Sequence, residues 1–151
     1  MSWLIKVIRY FFLIKEIISR QGVLHFQRYR LLATPWFAIY LHRISASDQE
    51  KDPHDHPFSF WSFILSGSYR EWFVCPPSFI AVHYRTYKAG DWAHHPAEDA
   101  HQLTILTPVV WTLVFTSGRN RYWGYRLVNQ IDKAWVGHKE YRQIKNQGKD
   151  K

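Results

Sequence analysis

The sequence predicts a single all-β domain of the barrel or sandwich type. About eight short apolar segments follow one another with Gly or Pro between them, the spacing of sandwiches and barrels. Aromatic residues make up 18% of the chain, with eight Trp, nine Tyr and ten Phe, and such side chains suit pleated, half-buried surfaces. The length, 151 residues, is enough for one core and short for two.

Taken in order, the first segment reads differently from the rest. Leu4, Val7, Ile8, Phe11, Phe12, Ile14 and Ile18 recur at helical spacing, which predicts an amphipathic helix over residues 1–21 that packs on the domain or on a second subunit. Peripheral contact with a membrane surface is the alternative for this helix. Lys6, Arg9, Lys15 and Glu16 interrupt the run before a spanning length, so no transmembrane segment is expected. No small-residue cleavage site follows, so no removed signal peptide is expected either.

After Gly22 the pattern alternates, and a barrel is expected over residues 22–138. Strands are predicted at 23–31, 36–44, 54–65, 69–74, 79–88, 101–106, 109–116 and 122–128. Ser45 to Pro53 is polar and reads as a loop, and Ser66-Gly67-Ser68, Pro76-Pro77 and Ala89-Gly90-Asp91 read as turns. Residues 133–144 are a candidate closing helix, and 139–151 read as a basic C-terminal tail. No internal repeat is visible.

The single cysteine, Cys75, cannot form an internal disulfide, so a reducing cytoplasm is the expected compartment. Residues 1–30 hold six basic side chains and one acid, so they carry +5 of the net +8. No specific nucleic-acid partner is predicted from that skew. Asp48, Glu50, Asp52, Asp55, Asp91, Glu98 and Asp99 bunch near histidines, which predicts an acidic rim around any site those histidines build.

His54 and His56 are two residues apart. In a strand, such residues share a face with Cα atoms about 7 Å apart, so both imidazoles can reach one ion. The same parity runs through Phe58, Phe60, Ser62 and Ile64, an apolar interior in which unpartnered imidazoles would be costly. Asp55 falls on the opposite face. Further on, Gly90-Asp91-Trp92-Ala93-His94-His95-Pro96-Ala97-Glu98-Asp99-Ala100-His101 supplies a third histidine. His94 and His95 are alternative ligands, but they precede Pro96 and read first as surface loop residues.

On these residues the chain resembles the cupin superfamily. His54-x-His56-x3-Phe60-x6-Gly67 matches the first cupin motif in its histidines, spacing and closing glycine, and Gly90-x5-Pro96-x-Glu98-x2-His101 matches the second in Gly, Pro and His. The resemblance covers roughly residues 36–128 and implies a jelly-roll barrel with His54, His56 and His101 as metal ligands. Phe60 stands where the common motif has its carboxylate ligand, Glu98 replaces a Gly and Ile105 an Asn. A three-histidine site without that carboxylate is similar to the thiol dioxygenases. His42-Arg43, His54-Asp55-His56-Pro57, Glu98-Asp99-Ala100-His101 and Trp123-Gly124-Tyr125 are also similar to small cupins found in phage and bacterial genomes, a likeness that implies no particular activity.

The resemblance implies a divalent metal, with Fe(II) preferred and Zn, Ni or Cu as alternatives, since imidazole suits all four. Glu98 is a candidate general base or fourth ligand. Arg43 is a candidate for gripping an acidic substrate group, with Arg85, Arg119 and Arg121 behind it, and Tyr40 is a candidate at the rim. The function expected first is an Fe(II)-dependent, dioxygenase-like metalloenzyme acting on a small molecule. The alternatives are a non-catalytic or nucleotide-sugar-binding cupin, and an interaction module that docks through its N-terminal helix. A homodimer is expected, because the helix needs a surface to cover its apolar face.

Overall fold

A computed structural model describes residues 13–18, 22–48, 50, 52–74, 82–127 and 135–147. Eleven strands and one helix occupy these residues: β1 (Leu13–Ile18), β2 (Leu24–Ala33), β3 (Phe37–Ile44), β4 (Phe60–Ser66), β5 (Ser68–Val74), β6 (Val82–Lys88), β7 (Trp92–His95), β8 (Ala100–Ile105), β9 (Val110–Ser117), β10 (Gly124–Tyr125), β11 (Val136–Gly137) and α1 (His138–Gln147).

All pairings are antiparallel. One sheet runs β1-β2-β3-β9-β4-β7, a second runs β6-β5-β8, and β10 pairs with β11. Alternation dictates what lies between the two large sheets. Along β9 the residues Val110, Thr112, Val114 and Thr116 are buried, and along β4 so are Phe60, Ser62 and Ile64. These meet Tyr69 and Phe73 of β5, Tyr87 of β6 and Ala93 of β7, with Ile44, Leu103 and Ile105 packed around them. Ile64 and Val110 are fully enclosed, and each such side chain stabilises the fold by roughly 1.5–3 kcal/mol.

The β4–β5 hairpin turns on a single residue, Gly67, at φ +81°. A Cβ there would collide with the Val109 carbonyl oxygen and Thr107 Oγ1, so only glycine permits both the turn and the approach of the neighbouring loop. The loop is held by Thr107 Oγ1, which accepts from the Ser68 amide at 3.0 Å.

Two expectations are corrected at the chain's ends. Leu13–Ile18 is not part of a helix but an edge strand paired with β2. The β-branched Ile14, Ile17 and Ile18 suit a pleated edge, and β2 offers backbone partners that a periodicity count does not see. Residues 1–12 and 19–21 of the expected helix, and Cys75 with its expected turn, lie outside the described residues. At the other end the closing helix expected over 133–144 lies at His138–Gln147, running into what reads as a tail. Tyr141 is its anchor: it is buried, stacks on Tyr125 with centroids 3.9 Å apart, and donates its hydroxyl to Asp52 Oδ2 at 3.0 Å. Among the described residues no helix is long and apolar enough to cross a membrane.

Candidate metal centre

His54 and His56 lie ahead of β4 rather than within it, since that strand begins at Phe60. Their placement comes from other contacts. His54 exchanges two main-chain hydrogen bonds with His101, N to O at 3.0 Å and 2.9 Å, and also bridges Tyr125 of β10. The His56 amide donates to Ala97 O at 3.2 Å. Asp55, between them, turns the other way and is fully buried. It accepts from Gly124 N at 2.6 Å and Trp135 Nε1 at 2.8 Å, and pairs with Arg121 Nη2 at 3.0 Å. The alternation expected of a strand therefore holds here without one, because Asp55 is clamped on one side and the histidines are drawn to the other.

The three rings form a nearly equilateral triangle. Centroid separations are 5.0 Å for His54–His56, 5.0 Å for His54–His101 and 4.9 Å for His56–His101. The donor atoms lie within 4.8 Å of one another, and His56 Nε2 stands 2.7 Å from His101 Nε2. Nitrogens that close can both reach one ion at the usual distance of about 2.0–2.1 Å. The residues present fit a divalent transition metal held by three neutral imidazoles.

His101 is gripped from behind. Its Nδ1 meets Glu71 Oε1 of β5 in a very short contact. A carboxylate on Nδ1 fixes the ring and leaves Nε2 to face the other two histidines, the arrangement usual behind metal-bound histidine. Glu71 is 1% exposed, and its other oxygen, Oε2, has no hydrogen-bond partner among the described residues and lies 3.7 Å from His95 Nε2. Glu71, His95 and His101 form a second cluster of possible metal donors, wholly buried and sharing His101 with the first.

Burial governs the titration of these groups. It pushes His54 down to about 4, against the opposing pull of Asp48, whose Oδ2 is 3.9 Å from Nδ1. Burial, then the neighbouring histidines, hold His56 well below its ordinary value, and the same causes lower His95. Burial also pushes Glu71 up. For His101, burial is outweighed by the Glu71 carboxylate, which raises it. His54 and His56 are thus neutral at pH 7 and available as donors.

Aromatic walls enclose the centre. Phe60 meets the His56 ring edge-on at 4.9 Å and stacks on His95 at 4.4 Å, and Phe58 stacks on His56 at 6.0 Å. A cavity of about 20 Å³ is lined by His56 itself with Arg28, Tyr40, His42, Phe58, Phe60, Val114 and Thr116.

No protein-family model and no curated protein matches the chain. Solved structures do. KdgF from Halomonas sp. superposes with TM-score 0.53 at 18% identity, covering 72% of this chain and 94% of that one. The iron(II) form of HppE gives 0.54 at 12%, covering 68% of this chain and 55% of that one. Bacillus subtilis oxalate decarboxylase, a protein with Mn(II) centres, gives 0.56 at 16%, covering 74% and 30%. The fold is that of the cupins. This chain spans about half of HppE and under a third of oxalate decarboxylase.

Within the cupin fold, several residues stand elsewhere than the sequence suggests. Arg43 lies on the face of β3 opposite Tyr40 and His42, with Nη1 on Ser45 Oγ at 3.2 Å, so it does not line the cavity. Glu98 is exposed in the β7–β8 turn and belongs to neither metal-capable cluster. Tyr40 does line the cavity. Arg121 is committed to Asp55 and to Ala97 O at 2.7 Å. Neither His94 nor His95 is a loop residue, since both lie on β7: His94 is exposed with its ring 4.3 Å from that of Trp61, and His95 is buried, facing Glu71.

Of the acids expected at a rim, Asp48 does stand beside the centre, its Oδ2 3.9 Å from His54 Nδ1, and several are bonded to other groups. Asp48 Oδ2 accepts from Leu103 N at 2.9 Å, Asp55 is enclosed, Asp91 caps the β6–β7 turn through Lys88 N, and Glu50 pairs with Lys145. Sequence reading missed Arg28, the placements of His42 and His95, and the role of Glu71. An inward parity shared with Phe26 marks Arg28, and one shared with Tyr69 and Phe73 marks Glu71.

Proposed function

We propose that this chain is a metal-dependent cupin that acts on a small molecule, with His54, His56 and His101 as the protein's ligands. The observation that carries the reading is the convergence of three imidazoles, two with Nε2 atoms 2.7 Å apart, on one point beside a cavity. Three protein ligands leave positions on the ion open, as a site for chemistry requires. Iron(II) is the preferred ion and a dioxygenase-like oxidation the preferred reaction, in line with the three-histidine resemblance and with an iron(II) form among the similar structures. When bound, such an ion supplies Lewis acidity and a seat for substrate and oxygen.

The chain's own contribution is positional. Glu71 holds His101 by Nδ1, which turns Nε2 toward the other two histidines. The main-chain pair between His54 and His101 fixes two of the three donors relative to each other. Phe58 and Phe60 wall off His56, keeping bulk water away and strengthening electrostatic interactions inside.

Elemental analysis of protein purified without an affinity tag tests the metal, with one ion per chain in the wild type and under a tenth of that in His101→Ala as the expected result. Substrate-dependent oxygen uptake tests the reaction class. Uptake that persists in His101→Ala would overturn the dioxygenase reading, and metal content unchanged in that variant would overturn the ligand assignment.

A further inference from the structure

Deeper in the barrel than the three-histidine centre lies a second set of donors. Glu71 of β5, His95 of β7 and His101 of β8 are 1%, 2% and 7% exposed, and their donor atoms lie within 4.8 Å of one another. Glu71 Oε1 contacts His101 Nδ1, while Oε2 stands 3.7 Å from His95 Nε2. Atoms at that separation can share one ion, because a transition metal sits about 2.0–2.2 Å from each imidazole nitrogen or carboxylate oxygen.

Two observations point to a ligand here. The first is Glu71 Oε2, which is enclosed yet has no hydrogen-bond partner among the described residues. A carboxylate oxygen is costly to bury in that state, and the ion pairs of Glu71 are with histidines alone. A cation between Oε2 and His95 Nε2 supplies the missing partner. The second is the division of labour among the rings. Phe60 stacks on His95 at 4.4 Å and meets His56 edge-on at 4.9 Å, so it packs against a histidine of each set and His95 does not join the outer three. His101 alone belongs to both: Nε2 faces His56 at 2.7 Å, and Nδ1 faces Glu71.

We infer that Glu71, His95 and His101 Nδ1 form an inner site for a second divalent transition metal, joined to the outer one through the His101 ring. One carboxylate with two imidazoles suits zinc, cobalt or copper, and Glu71 supplies the negative charge that three neutral imidazoles lack. The ion takes the place of the proton in the bond between Nδ1 and Oε1, and that proton leaves to solvent. This displacement, and repulsion from the ion across the ring, make the inner site the second to fill. Protein purified with one ion therefore gains the other only in excess metal. The bridge rests on the metal centre proposed above; the inner donor set does not.

Copper(II) titration of metal-free full-length protein, followed by equilibrium dialysis and electron paramagnetic resonance, tests the inference on the wild type itself. Copper(II) ions joined by one imidazolate couple antiferromagnetically and lose their resonance, whereas copper on an exposed histidine such as His94 keeps it. Wild type takes two ions per chain, its resonance growing over the first equivalent and vanishing over the second. His95→Gln, with folding checked by thermal unfolding, takes one ion with full resonance. A second ion that adds its full resonance would overturn the inner site, as would coupling that survives in His95→Gln. A wild type that stops at one ion, lost in His56→Ala and kept in His95→Gln, would overturn it too. One ion lost in His95→Gln and kept in His56→Ala would instead sink the outer centre and leave the inner site standing, and no bound copper would overturn both.

Discussion

Asp55→Ala removes a buried side chain that bonds the C-terminal segment to the histidine loop. Three donors lose their acceptor: Gly124 N at 2.6 Å, Trp135 Nε1 at 2.8 Å and Arg121 Nη2 at 3.0 Å. Hydrogen bonds to a charged group contribute about 1.5–3 kcal/mol each. Breaking a buried ion pair from one side costs about 3–5 kcal/mol, but the Arg121 side chain is 28% exposed and recovers some water, so its share is discounted. The sum, allowing for non-additivity, is about 3–5 kcal/mol. At about 2–4 °C per kcal/mol for a chain of this length, Tm falls by about 6–20 °C. Thermal and urea unfolding of metal-free protein, followed by tryptophan fluorescence, measures it. Asp55→Asn, which keeps one acceptor oxygen, loses about half as much. A loss below about 1 kcal/mol for Asp55→Ala would show that Asp55 is not the clamp described here.

Three further outcomes follow from the same geometry. Glu71→Gln takes the charge from behind His101 and lowers cobalt(II) affinity about 10–100-fold by competition titration; unchanged affinity would mean that the contact does not tune the ring. The stability of metal-free protein falls as pH drops from about 6.5 to about 4: burial lowers His54 to about 4 in the fold, so the unfolded chain binds the extra proton first and gains from acid. His54→Gln flattens that part of the profile, and an equally steep profile in the variant would assign it to another group. Gly67→Ala, at φ +81° against the Val109 carbonyl, costs about 1–3 kcal/mol or more in urea unfolding, and a neutral result would refute the close approach.

Much of the centre was legible because its signals are local. His54 and His56 are separated by one residue, and the Gly, Pro and His of 90–101 recur at motif spacing. What lay beyond reading is what strand pairing creates. Arg28, His42 and Tyr40 meet His56 only because β2, β3 and β9 pair in a particular register. His95 reads as a loop residue beside Pro96, yet β7 needs only four residues to pair with β4 and turn it inward. Leu13–Ile18 satisfies a helical period as well as an edge strand, and the choice is made by β2, which is distant information for a local pattern. Of the expected acidic rim, Asp48 stands beside His54 while Asp55 is enclosed, since charge counted along a chain says nothing of which acids are already bonded.

The main-chain bridge between His54 and His101 has a bearing on how a metal would be held. Two of the three proposed donors are locked to each other by the backbone, so their ordering entropy is incurred when the barrel folds and not when an ion arrives. Affinity at such a preorganised site is inherited from the fold. Substitutions along the seam of β8 and β10, even ones that touch no histidine, should then surface as weakened ion retention before they surface as lost structure.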